Sequence, residues 1–164
     1  MRILKYIIFV LLFLIIARFF ALRTEIVQMT LVEMQAERML ERPSPLPEED
    51  SLSGLLCGSR GPLPSAGTAE TCILIKAGER IFIVDAGDGS ITNLRDWGID
   101  LGKIEAFLLT HTHSDHFSDL ADLHLNAWVT QNRTNKLKVY GPEGTESVTD
   151  GCEATYAIDY KWRY

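Results

Sequence analysis

His111-Thr112-His113-Ser114-Asp115-His116 is the stretch whose reading decides this chain. It holds three of the four histidines among 164 residues, with a carboxylate between them. On an extended segment, side chains two apart point the same way, so His111, His113 and Asp115 are expected to face one spot. His116 comes next, where the chain is expected to turn into a helix. Imidazole plus carboxylate without thiolate is a donor set suited to zinc and other catalytic divalent metals. Burying such a cluster without a metal would cost roughly 1–3 kcal/mol for each unpaired polar group. Just upstream, Ile104-Glu105-Ala106-Phe107-Leu108-Leu109 is a short apolar run ending at Thr110. It reads as a buried strand that delivers the ligands at its carboxyl end.

Leu109-Thr110-His111-Thr112-His113-Ser114-Asp115-His116 resembles the signature of the metallo-β-lactamase superfamily. Ile83-Val84-Asp85-Ala86-Gly87-Asp88-Gly89 and Val139-Tyr140-Gly141-Pro142-Glu143-Gly144-Thr145 agree with it. With Cys57-Gly58-Ser59-Arg60-Gly61-Pro62-Leu63-Pro64-Ser65 added, the pattern looks most like the ribonuclease Z and arylsulfatase-like branch. The resemblance runs from Ser53 to Tyr164. It implies an α/β fold, the amino-terminal half of an αββα sandwich, which here follows a membrane-directed N-terminal helix read from hydropathy below.

The resemblance also assigns ligands and chemistry. Residues matching His111 and His113 bind a first metal in the family, and residues matching Asp115 and His116 bind a second. Two zinc ions are implied for the complete domain, with manganese or iron as alternatives. Hydroxide generated at the metal would attack a phosphorus, sulfur or carbonyl centre, oriented by Asp115 as catalytic residue as well as ligand. Asp85 and Thr110 would support the site from behind, holding a ligand or loop in place. The family's further histidine, bridging aspartate and last histidine come from the second half of its domain. They have no counterpart before Tyr164, and His124 does not match by position. The expectation is that the chain by itself is an incomplete, inactive fragment.

Composition narrows the partners. A net charge of −6 supplies no basic field for nucleic acid. Together with the membrane-directed start, it points to a small-molecule ester (sulfate, phosphate or carboxylic) as substrate, with nucleic acid not expected. A ribonuclease Z-type phosphodiesterase acting on tRNA 3′ ends is the alternative, and so is a non-catalytic membrane-tethered metal-binding remnant. A dimer is left open, since half a sandwich would expose an apolar sheet face. Cys57, Cys72 and Cys152 form no C-x-x-C pair. At most one bridge can form, and free, mostly buried thiols are expected.

Three regions follow from the pattern. Residues 1–22 open with Arg2 and Lys5 before an apolar run from Tyr6 to Ala17 that extends, past Arg18, to Leu22. This is a transmembrane anchor or a signal segment. The missing small residue of an A-x-A site in Phe19-Phe20-Ala21 favours the uncleaved anchor. Orientation is undetermined by charge, and the resemblance suggests an inner-membrane anchor with a periplasmic domain, or else export. Residues 23–52 read as an amphipathic helix, with Ile26, Met29, Val32, Ala36 and Met39 or Leu40 at helical spacing, then a Pro-rich acidic linker solvated through Asp50. Residues 53–164 read as the partial metallo-β-lactamase-like domain. Within it, a hairpin turns at Ala77-Gly78-Glu79, and Ser90 is expected to cap a helix ending at Gly98. A second helix is expected from Ser118 to Val129, with His124 as a packing residue. A strand at Leu137 to Tyr140 and a helix from Glu143 to Tyr156 complete the prediction.

Overall fold

The computed structural model describes residues 2–21, 23–40, 44–63, 67–131 and 133–163. Readings that fall on Leu22, on Glu41 to Pro43, on Pro64 and Ser65, and on Tyr164 lie outside the described residues. The chain forms two compact units, Met1–Arg42 and Pro43–Tyr164.

The first unit holds α1 (Arg2–Ala21) and α2 (Glu25–Leu40). Leucine and the aromatic and branched residues of α1 bury nothing: Ile3–Phe20 has a mean hydropathy of 2.5 and no buried residue. At 1.5 Å per residue that window is about 27 Å long, close to the thickness of a bilayer's hydrocarbon core. By length and composition α1 is long and apolar enough to cross a membrane. In α2, Ile26, Met29 and Val32 are exposed and Val27 is half-buried.

The second unit is built on one mixed five-stranded sheet in the order β1-β2-β3-β4-β5. Its strands are β1 (Leu52–Gly58), β2 (Cys72–Ala77), β3 (Arg80–Val84), β4 (Ile104–Leu108) and β5 (Lys138–Tyr140). β1, β2 and β3 run antiparallel through the hairpin predicted at Gly78, whereas β3, β4 and β5 run parallel. Parallel neighbours need crossovers. Here α3 (Ser90–Asp96) links β3 to β4, and α4 (Leu120–Val129) links β4 to β5. α5 (Thr145–Arg163) follows, longer than its sequence pattern suggested.

Alternation along the strands sets the core. Leu74, Ile81, Ile83, Ile104 and Phe107 pack with Ile91 and Leu94 of α3 and Leu120, Leu123 and Ala127 of α4. The intervening residues Ile75, Phe82, Val84 and Leu108 are only half-buried, and Leu56 and Ile73 beside them are exposed. Parallel strands place their carboxyl ends side by side. The loop after β3 and the loop after β4 therefore meet, and everything chemically distinctive lies there.

Three expectations need correction. Cys57 and Cys72 are joined in a disulfide, leaving only Cys152 as a free thiol. No pairing signal marks this spacing, but antiparallel pairing of β1 with β2 brings the two Cα atoms to 5.0 Å. Ser90 does not cap α3; Gly89 is the N-cap, and the Ser90 hydroxyl is buried without a partner. The cap comes from outside the helix, where Asp119 Oδ2 accepts the Ile91 N–H at 3.1 Å. The linker is not solvated throughout. Leu46 packs on the core, and the Glu49 carbonyl accepts from Lys76 Nζ at 2.8 Å.

Candidate metal centre

β4 ends at Leu108, and the backbone then leaves the sheet through Leu109 and Thr110, whose neighbours fix its course. Leu109 N–H donates to the Tyr140 carbonyl at 2.7 Å, and Asp85 N–H to the Leu108 carbonyl at 3.0 Å. Asp85, the first residue after β3, has φ +57°. Aspartate is one of the few residues besides glycine that tolerates this left-handed conformation. The turn aims its carboxylate into the neighbouring loop.

That carboxylate is the organising group. Asp85 is 2% exposed. Its Oδ1 accepts the Thr110 N–H at 2.8 Å, and its Oδ2 accepts the Thr110 hydroxyl at 2.7 Å and His116 Nδ1 at 2.8 Å. An ionised carboxylate only accepts, so His116 presents a proton on Nδ1 to Asp85. The Thr110 hydroxyl gives its own hydrogen to Asp85, so at 3.0 Å it accepts from His111 Nδ1. One buried carboxylate sets the tautomers of two imidazoles, one directly and one through a hydroxyl.

The hexapeptide divides in two. His111 Nε2 lies 3.1 Å from His113 Nδ1. His116 Nε2 lies 3.5 Å from Asp115 Oδ2, and the His111 and His116 ring centres are 3.9 Å apart. Asp115 therefore lies beside His116. The cause is local: the chain is extended at His113 (φ −86°, ψ 144°) but winds into a short 3-10 turn over Ser114–His116. That turn replaces the α-helix expected at His116.

This donor set can be tested against a metal. Zinc–nitrogen bonds of 2.0–2.1 Å place two tetrahedral ligands about 3.3 Å apart, near the His111–His113 separation. The chemistry of neutral imidazoles and a carboxylate also fits. Among the described residues, however, no three His, Cys, Asp or Glu side chains converge tightly enough to cage an ion. The chain thus presents two adjacent pairs of donors, suited to divalent metal in kind, without a closed set of three.

Behind these pairs lies a layer that sequence reasoning missed. Gly87 sits so close to the 3-10 turn that a Cβ there would come within 2.1 Å of the Asp115 carbonyl oxygen and 2.3 Å of Glu70 Cβ. Ala86 N–H donates to the His116 carbonyl at 2.7 Å, and Asp119 N–H to the Ala86 carbonyl at 2.9 Å. Burial pushes the Asp119 carboxyl up from its ordinary range, with Asp122 and Asp88 adding to the effect and the Ile91 N–H opposing it. Nothing in the sequence pattern around Glu70 or Asp119 marks them; only the meeting of the two loops does. His124 takes no part. Its Nε2 lies 2.8 Å from the Tyr160 hydroxyl and its ring stacks on Trp128, in the wall of a cavity of about 330 Å³ between α4 and α5.

Residues 66–153 match the profile of the metallo-beta-lactamase superfamily. The chain belongs to that superfamily. Ribonuclease Z of Mycolicibacterium gilvum is 34% identical over 110 residues, which is 66% of this chain and 38% of that protein. Ribonuclease Z of Mycobacterium sp. strain KMS is 37% identical over 109 residues, 66% of this chain and 38% of the relative. The metallo-β-lactamase-like unit also superimposes on human tRNase Z, short form, with a TM-score of 0.55 at 22% identity, covering 65% of this chain and 39% of that one. At that identity the likeness shows the fold alone. The chain spans under two-fifths of the length of these curated relatives. Their names support the ribonuclease Z side of the resemblance better than the small-ester reading, and lend nothing to the arylsulfatase side.

Proposed function

We propose that this chain carries the first metal-binding loop of a metal-dependent phosphodiester hydrolase of ribonuclease Z type, acting on RNA 3′ ends. The observation that carries the reading is the joint placement of His111, His113, Asp115 and His116 beside a buried, tautomer-setting Asp85, in a chain 34% identical to ribonuclease Z over that region. His111 and His113 would hold one divalent metal, and Asp115 with His116 a second. Zinc is favoured by the donor set, with manganese or iron as alternatives. A metal bound there lowers the pKa of water towards 7.

The chain's own residues do the preparation. Asp85 holds the protons of His111 and His116 on their Nδ1 atoms, so that neither ring must change tautomer to bind. Thr110 passes that constraint from Asp85 to His111. Asp115, buried beside Gly87, keeps its carboxylate next to His116 Nε2, where it orients the attacking water and takes up its proton.

A second reading, a hydrolase of small sulfate, phosphate or carboxylic esters, is favoured by the net charge of −6, which gives RNA phosphates little to grip. The unburied apolar window Ile3–Phe20 supports a membrane tether for either activity. The Cys57–Cys72 disulfide supports placing the domain in an oxidising compartment, outside the inner membrane and away from cytoplasmic tRNA, which favours this second reading. One assay separates the two readings. The domain, completed by a second half of ribonuclease Z type and loaded with zinc or manganese, is offered an RNA with a 3′ extension, an aryl phosphodiester, an aryl sulfate and an aryl carboxylic ester. Cleavage of the RNA that is lost in Asp115→Ala is expected. Turnover of the sulfate or carboxylic ester with intact RNA would transfer the proposal to the second reading.

A further inference from the structure

Glu70 stands just ahead of β2, far in sequence from the histidines and outside every motif quoted above, yet it is only 9% exposed. Buried carboxylates need partners, and those of Glu70 belong to the two loops that form the candidate centre. Its Oε2 accepts the Asp88 N–H at 3.0 Å and faces the Ser118 hydroxyl at 3.4 Å. Its own N–H donates to the Asp88 carbonyl at 2.9 Å, so the two residues bind each other reciprocally. Its Cβ closes over Gly87, which in turn rests on the Asp115 carbonyl. Arg60 Nη1 lies 3.4 Å from Oε1, and the same guanidinium accounts for its other hydrogens at the Thr68 and Leu63 carbonyls and at Asp88 Oδ2.

Asp88 and Ser118 bracket the centre. Asp88 is three residues beyond Asp85, and Ser118 is two beyond His116. The separation between the Asp85 carboxylate and the His116 ring is fixed by how the loop after β3 lies against the 3-10 turn. Glu70 reaches both from outside, beside the direct Ala86–His116 backbone bond and the Asp119 contact with Ile91. We infer that Glu70 is a positioning residue: it clips the two loops together so that Asp85 stays within hydrogen-bond reach of His116 and Thr110. Arg60 balances its charge and delivers the Gly- and Pro-rich loop after β1 to the same point.

The inference uses the proposed role of the histidines only for its consequence in metal binding, so it is tested on two readouts. The first needs no metal. In the whole 164-residue chain in detergent micelles, 15N NMR of the imidazoles reports which ring nitrogen carries the proton. Wild type is expected to show single Nδ1–H tautomers for His111 and His116. Glu70→Ala is expected to show mixed tautomers at His116, and Glu70→Gln, whose amide oxygen can still accept the Asp88 N–H, to recover the wild-type spectrum. The second readout is zinc affinity by chelator competition, expected to fall by about 10- to 100-fold in Glu70→Ala, the usual range for groups that orient metal ligands. A wild-type imidazole spectrum in folded Glu70→Ala overturns the inference. If that variant does not fold, Glu70→Asp, one methylene too short to reach both loops, is read instead, and a wild-type spectrum there overturns it equally. Absence of zinc binding in the wild type would count against the proposed function while leaving the imidazole spectrum to decide Glu70.

Discussion

Two halves of one hexapeptide are held in different ways. His116 and Asp115 sit in a 3-10 turn pressed against Gly87, with the His116 ring bonded to a carboxylate that is 2% exposed. His113 is exposed, and its Nδ1 faces another imidazole at 3.1 Å. His111 lies between the two, half-buried and reached by Asp85 only through Thr110. The Asp115–His116 half is held by the fold itself, whereas the His111–His113 half has an exposed member and no buried carboxylate bonded directly to it. The proposed site therefore separates stability from function residue by residue.

The sharpest way to break that comparison is to substitute on both sides of it. Asp85→Ala leaves His116 Nδ1, the Thr110 N–H and the Thr110 hydroxyl without their acceptor, and puts alanine at positive φ. It is expected to cost about 3 kcal/mol or more in urea unfolding, and zinc binding should be lost with it. His113→Ala is expected to stay within about 0.5 kcal/mol of wild type, as exposed substitutions do, yet to weaken zinc binding as severely. Equal stability losses would erase the distinction between the halves.

Gly87→Ala tests the contact between the loops without touching a ligand. Its Cβ would need to displace backbone at Asp115, which is costlier than moving a flexible side chain. A loss of about 1–3 kcal/mol is expected, the usual cost of overpacking, measured by the same unfolding curves.

His124 provides the control away from the centre. Burial lowers its pKa below the ordinary value, against an opposing contribution from Glu153. The folded state therefore favours the neutral ring. Stability from this group is complete above the unfolded pKa of about 6.5 and is lost as pH falls below it through the folded value. The urea midpoint is expected to decline below that pH, and His124→Gln to flatten the decline. An equally steep decline in the variant would assign the pH dependence elsewhere, the hexapeptide included.

Ser90→Ala should do least. Its hydroxyl is buried without a partner, so its removal is expected to leave the unfolding midpoint unchanged or slightly raised.

What could be read from the residues, and what could not, divides along physical lines. The strand before the histidines and the hairpin at Gly78 depend on local patterns of apolarity and turn chemistry, which sequence displays, whereas the supporting role of Asp85 was implied only by the family resemblance. The Cys57–Cys72 bridge depends on register between strands, set by a bulge at Leu56–Gly58 that no periodicity announces. Glu70 and Asp119 act across 18 and 28 residues through hydrogen bonds, and such contacts exist only once the loops meet. The extended chain ends at His113 and a 3-10 turn begins at Ser114, so alternation describes only the first part of the hexapeptide.

The central claim is that the loop after β4 is a metal-binding element whose first pair of donors is His111 and His113. Its most direct test is zinc content per chain after loading and desalting, compared between wild type and His111→Ala/His113→Ala, with folding checked by circular dichroism. The wild type is expected to retain zinc and the folded double variant to lose it. Equal zinc in both would contradict the account.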